Sequence, residues 1–143
     1  MKITSVTQNE FQEWQDLAQK LWPDCTTEHL LEILQSPRQA VFLAWSETGD
    51  AIGFINLSLR YDYVPDASQN PVAFIEGIYV DPPYRQQGMG RALIEYAQQW
   101  SKSQGCVEIA SDALLENTDS HAFHASVGFR EVERVVFFMK QII

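Results

Sequence analysis

Cysteine is scarce: two among 143 residues, with no CxxC pair. That excludes a disulfide framework and a cysteine zinc site. Long apolar runs are missing too. Residues 40–45 form one of the longest, far short of the ~20 residues that span a bilayer. The amino terminus has no apolar signal core, so no membrane association is predicted and a cytoplasmic location is expected. Basic residues are few: 10 Lys+Arg against 19 Asp+Glu give a net charge of −9. With a pI near 4.6 and no Lys/Arg cluster to neutralise phosphates, nucleic acid is not an expected partner. An acidic surface instead attracts cationic ligands at long range. Apolar types make up 45% of the chain, too many for a disordered one. There is no repeat, low-complexity tract or linker. The length suits one domain, expected to span residues 1–143.

Helical and extended patterns alternate. Residues 2–6 read as a short strand. Thr7-Gln8-Asn9-Glu10 has the T-x-x-E form of a capping box. Phe11, Trp14, Leu17, Ala18 and Leu21 then recur at spacings of three and four, and Pro23 stops that helix. A second helix is predicted from Thr26 or Thr27, ending before Pro37. Residues 41–45 and 51–60 flank Glu47-Thr48-Gly49-Asp50 and predict a hairpin. In its second arm Ile55, Leu57 and Leu59 alternate with Asn56, Ser58 and Arg60, as in a strand with one buried face. Residues 62–70 read as a loop, and 71–80 as an apolar strand interrupted by Glu76 and Gly77. A mid-strand glycine marks a bulge or a close backbone approach. A helix carrying Leu93, Ile94, Ala97 and Trp100 on one face closes at Gly105. A strand at 106–110, a short helix at 117–127 and a last strand at 134–140 complete the pattern of one mixed α/β domain.

Between a strong strand and a strong helix lies Arg85-Gln86-Gln87-Gly88-Met89-Gly90-Arg91. The first amides of a helix lack intrahelical partners, and aligned peptide dipoles place partial positive charge there. Glycines let the backbone approach an anion, so several N–H groups can converge on a phosphate. A tight turn would use the glycines too, but the strand–loop–helix setting and the flanking Arg85 and Arg91 favour anion binding. A Walker loop fails for want of Gly-Lys-Ser/Thr, and a dinucleotide fingerprint lacks its third glycine.

Arg85-x-x-Gly88-x-Gly90 after Ile75-Glu76-Gly77-Ile78-Tyr79-Val80 resembles the acyl-CoA motif of the GCN5-related N-acetyltransferases. Asn117, Phe123-His124 and Gly128-Phe129 resemble the second landmark of that superfamily. A narrower similarity is to the short aminoglycoside 6′-N-acetyltransferases. It rests on Leu21-Trp22-Pro23, Arg60-Tyr61-Asp62-Tyr63-Val64, Phe74-Ile75-Glu76-Gly77-Ile78, Ala110-Ser111-Asp112, Glu116-Asn117-Thr118 and Glu133-Arg134-Val135. The resemblance implies an α/β (α+β) fold whose mixed, mostly antiparallel sheet is splayed in the middle to form an acyl-CoA slot. It also implies direct transfer of acetyl from acetyl-CoA to an amine in a ternary complex, without a metal.

On that resemblance Gly77 is placed for a strand bulge. Backbone groups of Ile78, Tyr79 and Val80 would hold pantetheine, with an N–H near Tyr79 and Val80 polarising the thioester carbonyl. The amides of Gln86, Gln87, Gly88, Met89, Gly90 and Arg91 would hold the pyrophosphate, and Asn117 would contact the cofactor. Glu76, an acid amid Ala73, Phe74, Ile75 and Ile78, would take a proton from the attacking amine or bind an ammonium group. His124 stands where most relatives have Tyr and is a candidate acid for the leaving thiolate, or else a packing residue. His121, three residues earlier, has no third metal ligand and reads as an exposed helix residue. Trp22, Tyr63, Glu76, Asp112 and Glu133 match positions lining the aminoglycoside site. Separated carboxylates and aromatic faces suit a ligand with several ammonium groups. Cys25 falls where close relatives can carry His, which bears on substrate range. A polyamine is the nearest rival substrate, and a CoA-binding sensor the non-enzymatic alternative. A homodimer is expected from the resemblance and from the apolar end of the chain at 135–139, Ile142 and Ile143.

Overall fold

The computed structural model describes residues 2–143. The chain forms two compact units, Met1–Asp112 and Ala113–Ile143.

The first unit holds a five-stranded sheet in sequential order. Strand β1 (Lys2–Ser5) pairs with β2 (Gln39–Trp45), β2 with β3 (Ala51–Arg60) and β3 with β4 (Val72–Val80), all antiparallel; β4 pairs in parallel with β5 (Ile109–Ser111). The parallel pairing follows from the crossover through helix α3 (Met89–Ser103). Helices α1 (Phe11–Leu21) and α2 (Thr27–Gln35) precede the hairpin. The Thr7 hydroxyl accepts from the Asn9 amide and starts a 3-10 turn that runs into α1. The Thr26 hydroxyl accepts from the His29 amide and caps α2.

Trp14, Leu17 and Ala18 of α1 and Leu30 and Ile33 of α2 pack on Val41, Leu43 and Phe54. The strand expected to have one buried face is covered on both. Asn56 is 1% exposed and Ser58 9%, because α1 and α3 both contact β3. The Asn56 amide donates to Gln39 Oε1 and Ala40 O, each at 3.2 Å, which offsets the cost of burying it. The strand predicted at 106–110 is instead the short Ile109–Ser111. On α3 the buried positions are Met89, Leu93, Ile94, Ala97 and Ser101; Ser101 takes the place expected of Trp100, and its hydroxyl donates to Ala97 O.

The second unit contains helix α4 (Thr118–Ser126), capped by the Asn117 carboxamide and closed at Gly128 with φ 96°. The last strand predicted at 134–140 is absent: residues 129–143 have no regular structure. A strand exists only through a ladder to a neighbour, and none is paired there among the described residues.

Candidate active site

In the β3–β4 ladder Asn56 faces Gly77 and Leu57 faces Ile75, so Glu76 is the extra, unpaired residue. The bulge therefore falls on Glu76, one residue before the glycine expected to carry it. Gly77 has a different reason to be glycine. A Cβ there would stand 2.8 Å from Trp22 Cη2 and 3.0 Å from Leu21 Cδ2, so the end of α1 lies directly on the strand.

On its other side β4 pairs with β5 only from Ala73 to Ile75. From Glu76 onward no strand is paired with that edge among the described residues. The Asp81 amide donates to Ile52 O at 2.8 Å. Because hydrogen-bonded pairs alternate along an antiparallel ladder, Tyr79 and Gly77 bond to β3, while Ile78 and Val80 turn their backbone groups to the open edge. The donor facing the slot is thus the Val80 amide, and the backbone of Tyr79 is spent on the sheet. Burial, with a hydrogen bond to Asp81, raises the Tyr79 hydroxyl above its usual range. Lys20 pairs with the same Asp81 at 2.9 Å, and that bond raises its pKa in turn.

Arg85 Nε donates to Val80 O at 2.6 Å, and its guanidinium lies 5.4 Å from the Tyr79 ring centroid. It fixes the turn leaving β4. Gln86 and Gly88 both have positive φ, 61° and 84°. Gly88 is the N-cap of α3 and offers no side chain to the first helical amides, as does Met89, whose side chain is buried. A Cβ at Gly88 would meet nothing within 4 Å. The space over the first turn of α3 is therefore open to a ligand, and the amides aimed into it suit an anion. This cradle and the backbone edge at Ile78 and Val80 fit a phosphate-bearing, amide-bearing cofactor such as acetyl-CoA.

Glu76 is not a solitary carboxylate. Arg60 grips it through Nη2 to Oε1 at 2.9 Å and Nε to Oε2 at 3.1 Å, and the Ser58 hydroxyl donates to Oε2. Sequence reasoning required a partner for this acid and sought it in a bound ammonium group; Arg60 and Ser58 were missed. Their alternation on a strand opposite Glu76 was the available signal, but the register that brings the three together is not visible in a linear pattern.

Trp22 borders Glu76 through Gly77 and stacks edge-on to Phe54 at 5.6 Å. Cys25 packs against the same core cluster and is half-buried. Ser111 is registered on Ile75, so exposed Asp112 continues the chain beside the bulge. Tyr63 is 82% exposed in the loop after β3, which curls round a cavity of about 370 Å³ lined by Tyr61, Asp62 and Asp66 among others.

In the second unit, His124 Nδ1 lies 2.7 Å from Ser120 O. A carbonyl only accepts, so Nδ1 donates in this contact. The ring packs edge-on to Phe129 at 5.3 Å. Asn117 Oδ1 is committed to capping α4. His121 Nε2 lies 2.9 Å from Leu114 O. Glu133 is exposed, in the segment without regular structure.

Residues 7–129 match the model of the Acetyltransferase (GNAT) family. An aminoglycoside N(6')-acetyltransferase type 1 from Acinetobacter genomosp. 13 is 44% identical over 145 residues, covering 99% of each chain. The corresponding protein of Salmonella typhimurium is 41% identical with the same coverage. Among solved structures, AAC(6')-Iy in complex with the bisubstrate analog CoA-S-monomethyl-acetylneamine superposes with a TM-score of 0.91 at 40% identity, over 99% of this chain and 98% of that one. AAC(6')-Ih from Acinetobacter baumannii gives 0.90 at 40% identity with the same coverage. The sheet opened beside its bulge, the glycine cradle at the start of α3 and these full-length similarities agree: the chain belongs to the Acetyltransferase (GNAT) family.

Proposed function

We propose that the protein is an aminoglycoside 6′-N-acetyltransferase, moving acetyl from acetyl-CoA to the 6′-amino group of the antibiotic by direct attack in a ternary complex. The observation that carries this reading is the branch at Glu76. There β4 is paired on both sides up to Ile75 and on one side beyond it, with a carboxylate held at the fork. The relatives named above bear the same activity in their names.

Bound acetyl-CoA supplies the acetyl group as a thioester. The backbone of Ile78 holds its pantetheine arm, and the Val80 amide faces the carbonyl oxygen that gains charge. A preorganised donor of this kind contributes about 2.7–4 kcal/mol. The amides from Gln86 to Arg91 hold the pyrophosphate, and the Asn117 carboxamide adds a cofactor contact. Tyr79 contributes by fixing the strand from which Val80 projects. Glu76 binds the reacting ammonium group, and the proton leaves from there through water. His124, its ring held through Nδ1 by Ser120 O, is the acid for the departing thiolate; its removal is expected to lower kcat by about a hundredfold or more. Trp22, Cys25, Tyr63, Asp112 and Glu133 complete the aminoglycoside site. Residues 1–143 act as one N-acetyltransferase domain in the cytoplasm, where acetyl-CoA is made and used, and as a homodimer. The dimer reading rests on Val135, Phe137, Phe138 and Met139, the last three at least 90% exposed in the single chain.

The test is the initial rate of CoA release from acetyl-CoA with a panel of aminoglycosides and linear polyamines. Faster turnover of aminoglycosides is expected. Faster turnover of polyamines moves the assignment to the rival amine class, and stoichiometric binding without turnover would make the protein a sensor.

A further inference from the structure

The grip on Glu76 has a geometry that a surface ion pair does not need. Ser58 and Arg60 lie two residues apart on β3 and so project from one face; Ser58 is registered on Phe74, and Glu76, two residues further along β4, projects from that face too. Arg60 is itself held: its guanidinium carbon lies 3.4 Å from the Phe74 ring centroid. A stacked guanidinium is a fixed fork, and a fixed fork orients the carboxylate that it binds. The donors divide unequally. Oε2 takes Ser58 Oγ and Arg60 Nε, while Oε1 takes only Arg60 Nη2. A carboxylate has about four lone-pair sites, so the remaining one is on Oε1, and its direction is set by the other three. The pair is not sealed, since the side chains of Arg60 and Glu76 are 39% and 29% exposed.

A guanidinium beside a site for cations weakens their attraction to it. On a chain of net charge −9, general attraction is abundant, and orientation is what Arg60 adds. We propose that Arg60, together with Ser58, is a positioning residue that holds the Glu76 carboxylate in one orientation, leaving one lone pair of Oε1 as the anchor for the ammonium group of the substrate. The proposal rests on the aminoglycoside reading and goes beyond it by assigning who builds the anchor.

The test combines calorimetric binding of an aminoglycoside with steady-state kinetics for Arg60→Ala, Arg60→Lys, Ser58→Ala, Glu76→Gln and the Arg60→Ala/Glu76→Gln pair. Loss of positioning is expected to reduce kcat/KM for the aminoglycoside by about ten- to a hundredfold in Arg60→Ala, mostly through KM, with the acetyl-CoA KM unchanged. Arg60→Lys supplies a charge without the fork and is expected to recover part of the loss. In the Glu76→Gln background Arg60→Ala is expected to add nothing, because both changes remove one device. If Arg60→Ala does not fold, Ser58→Ala, which leaves no charge unpaired, is expected to show a smaller aminoglycoside KM effect of the same kind. Wild-type constants in Arg60→Lys and Ser58→Ala, or additive effects of Arg60→Ala and Glu76→Gln, would overturn the proposal while leaving the aminoglycoside reading intact. A wild-type protein that binds no aminoglycoside would overturn both.

Discussion

Gly88 carries two burdens at once: a backbone angle of +84° and an open space where a side chain would begin. An alanine there meets no protein atom, but the left-handed region costs an L residue about 1–2 kcal/mol. Gly88→Ala is therefore expected to raise the acetyl-CoA KM by roughly tenfold while leaving the aminoglycoside KM alone; unchanged cofactor affinity would remove the anion cradle from the account. Asp112 is argued on charge. It is exposed at the end of β5, one residue past the partner of Ile75. A charge-assisted hydrogen bond donated by an ammonium group to the Asp112 carboxylate contributes about 1.5–3 kcal/mol. Asp112→Asn is expected to raise the aminoglycoside KM by roughly ten- to a hundredfold and to flatten the salt dependence of binding. Equal constants for wild type and variant would exclude Asp112 from the site.

At the level of elements, β4 is shaped by what lies on it. The end of α1 comes so close at Gly77 that even a methyl group would strike the Trp22 ring. Gly77→Ala is expected to lower stability by about 1–3 kcal/mol through overpacking, read as a fall in Tm, and Trp22→Leu in the same chain is expected to restore part of it. A Tm equal to wild type would mean that α1 does not press on the strand. Most elements were legible from local chemistry. Thr7, Thr26 and Asn117 were readable as helix starts, and Gly105 as a helix end, because capping depends on a few adjacent residues. The turn that leads from β4 into α3 was legible for the same reason. What stayed hidden depends on neighbours distant in sequence. Asn56 and Ser58 looked solvent-facing in their alternation, yet helices on both sides bury them. Arg60 could not be matched to Glu76 without the register. The strand expected at 134–140 shows the limit of propensity, since its residues favour an extended chain but no ladder receives them.

That segment matters most for the whole molecule. Phe137, Phe138 and Met139 expose 90% or more of their surface, which is the ground for the proposed homodimer. Sedimentation is expected to give twice the 16.4 kDa of one chain, and Phe137→Glu/Phe138→Glu to return it to the monomer mass. A wild-type monomer at assay concentration would refute the dimer. The chemistry is read most plainly from the nitrogen that carries the new acetyl group when an aminoglycoside bearing several amines is converted with acetyl-CoA, located by NMR of the purified product. An anchored ammonium group at Glu76, beside the open edge at Ile78 and Val80, predicts a single product acetylated at the 6′-nitrogen. Acetyl on any other nitrogen, or a mixture of regioisomers, would contradict the account.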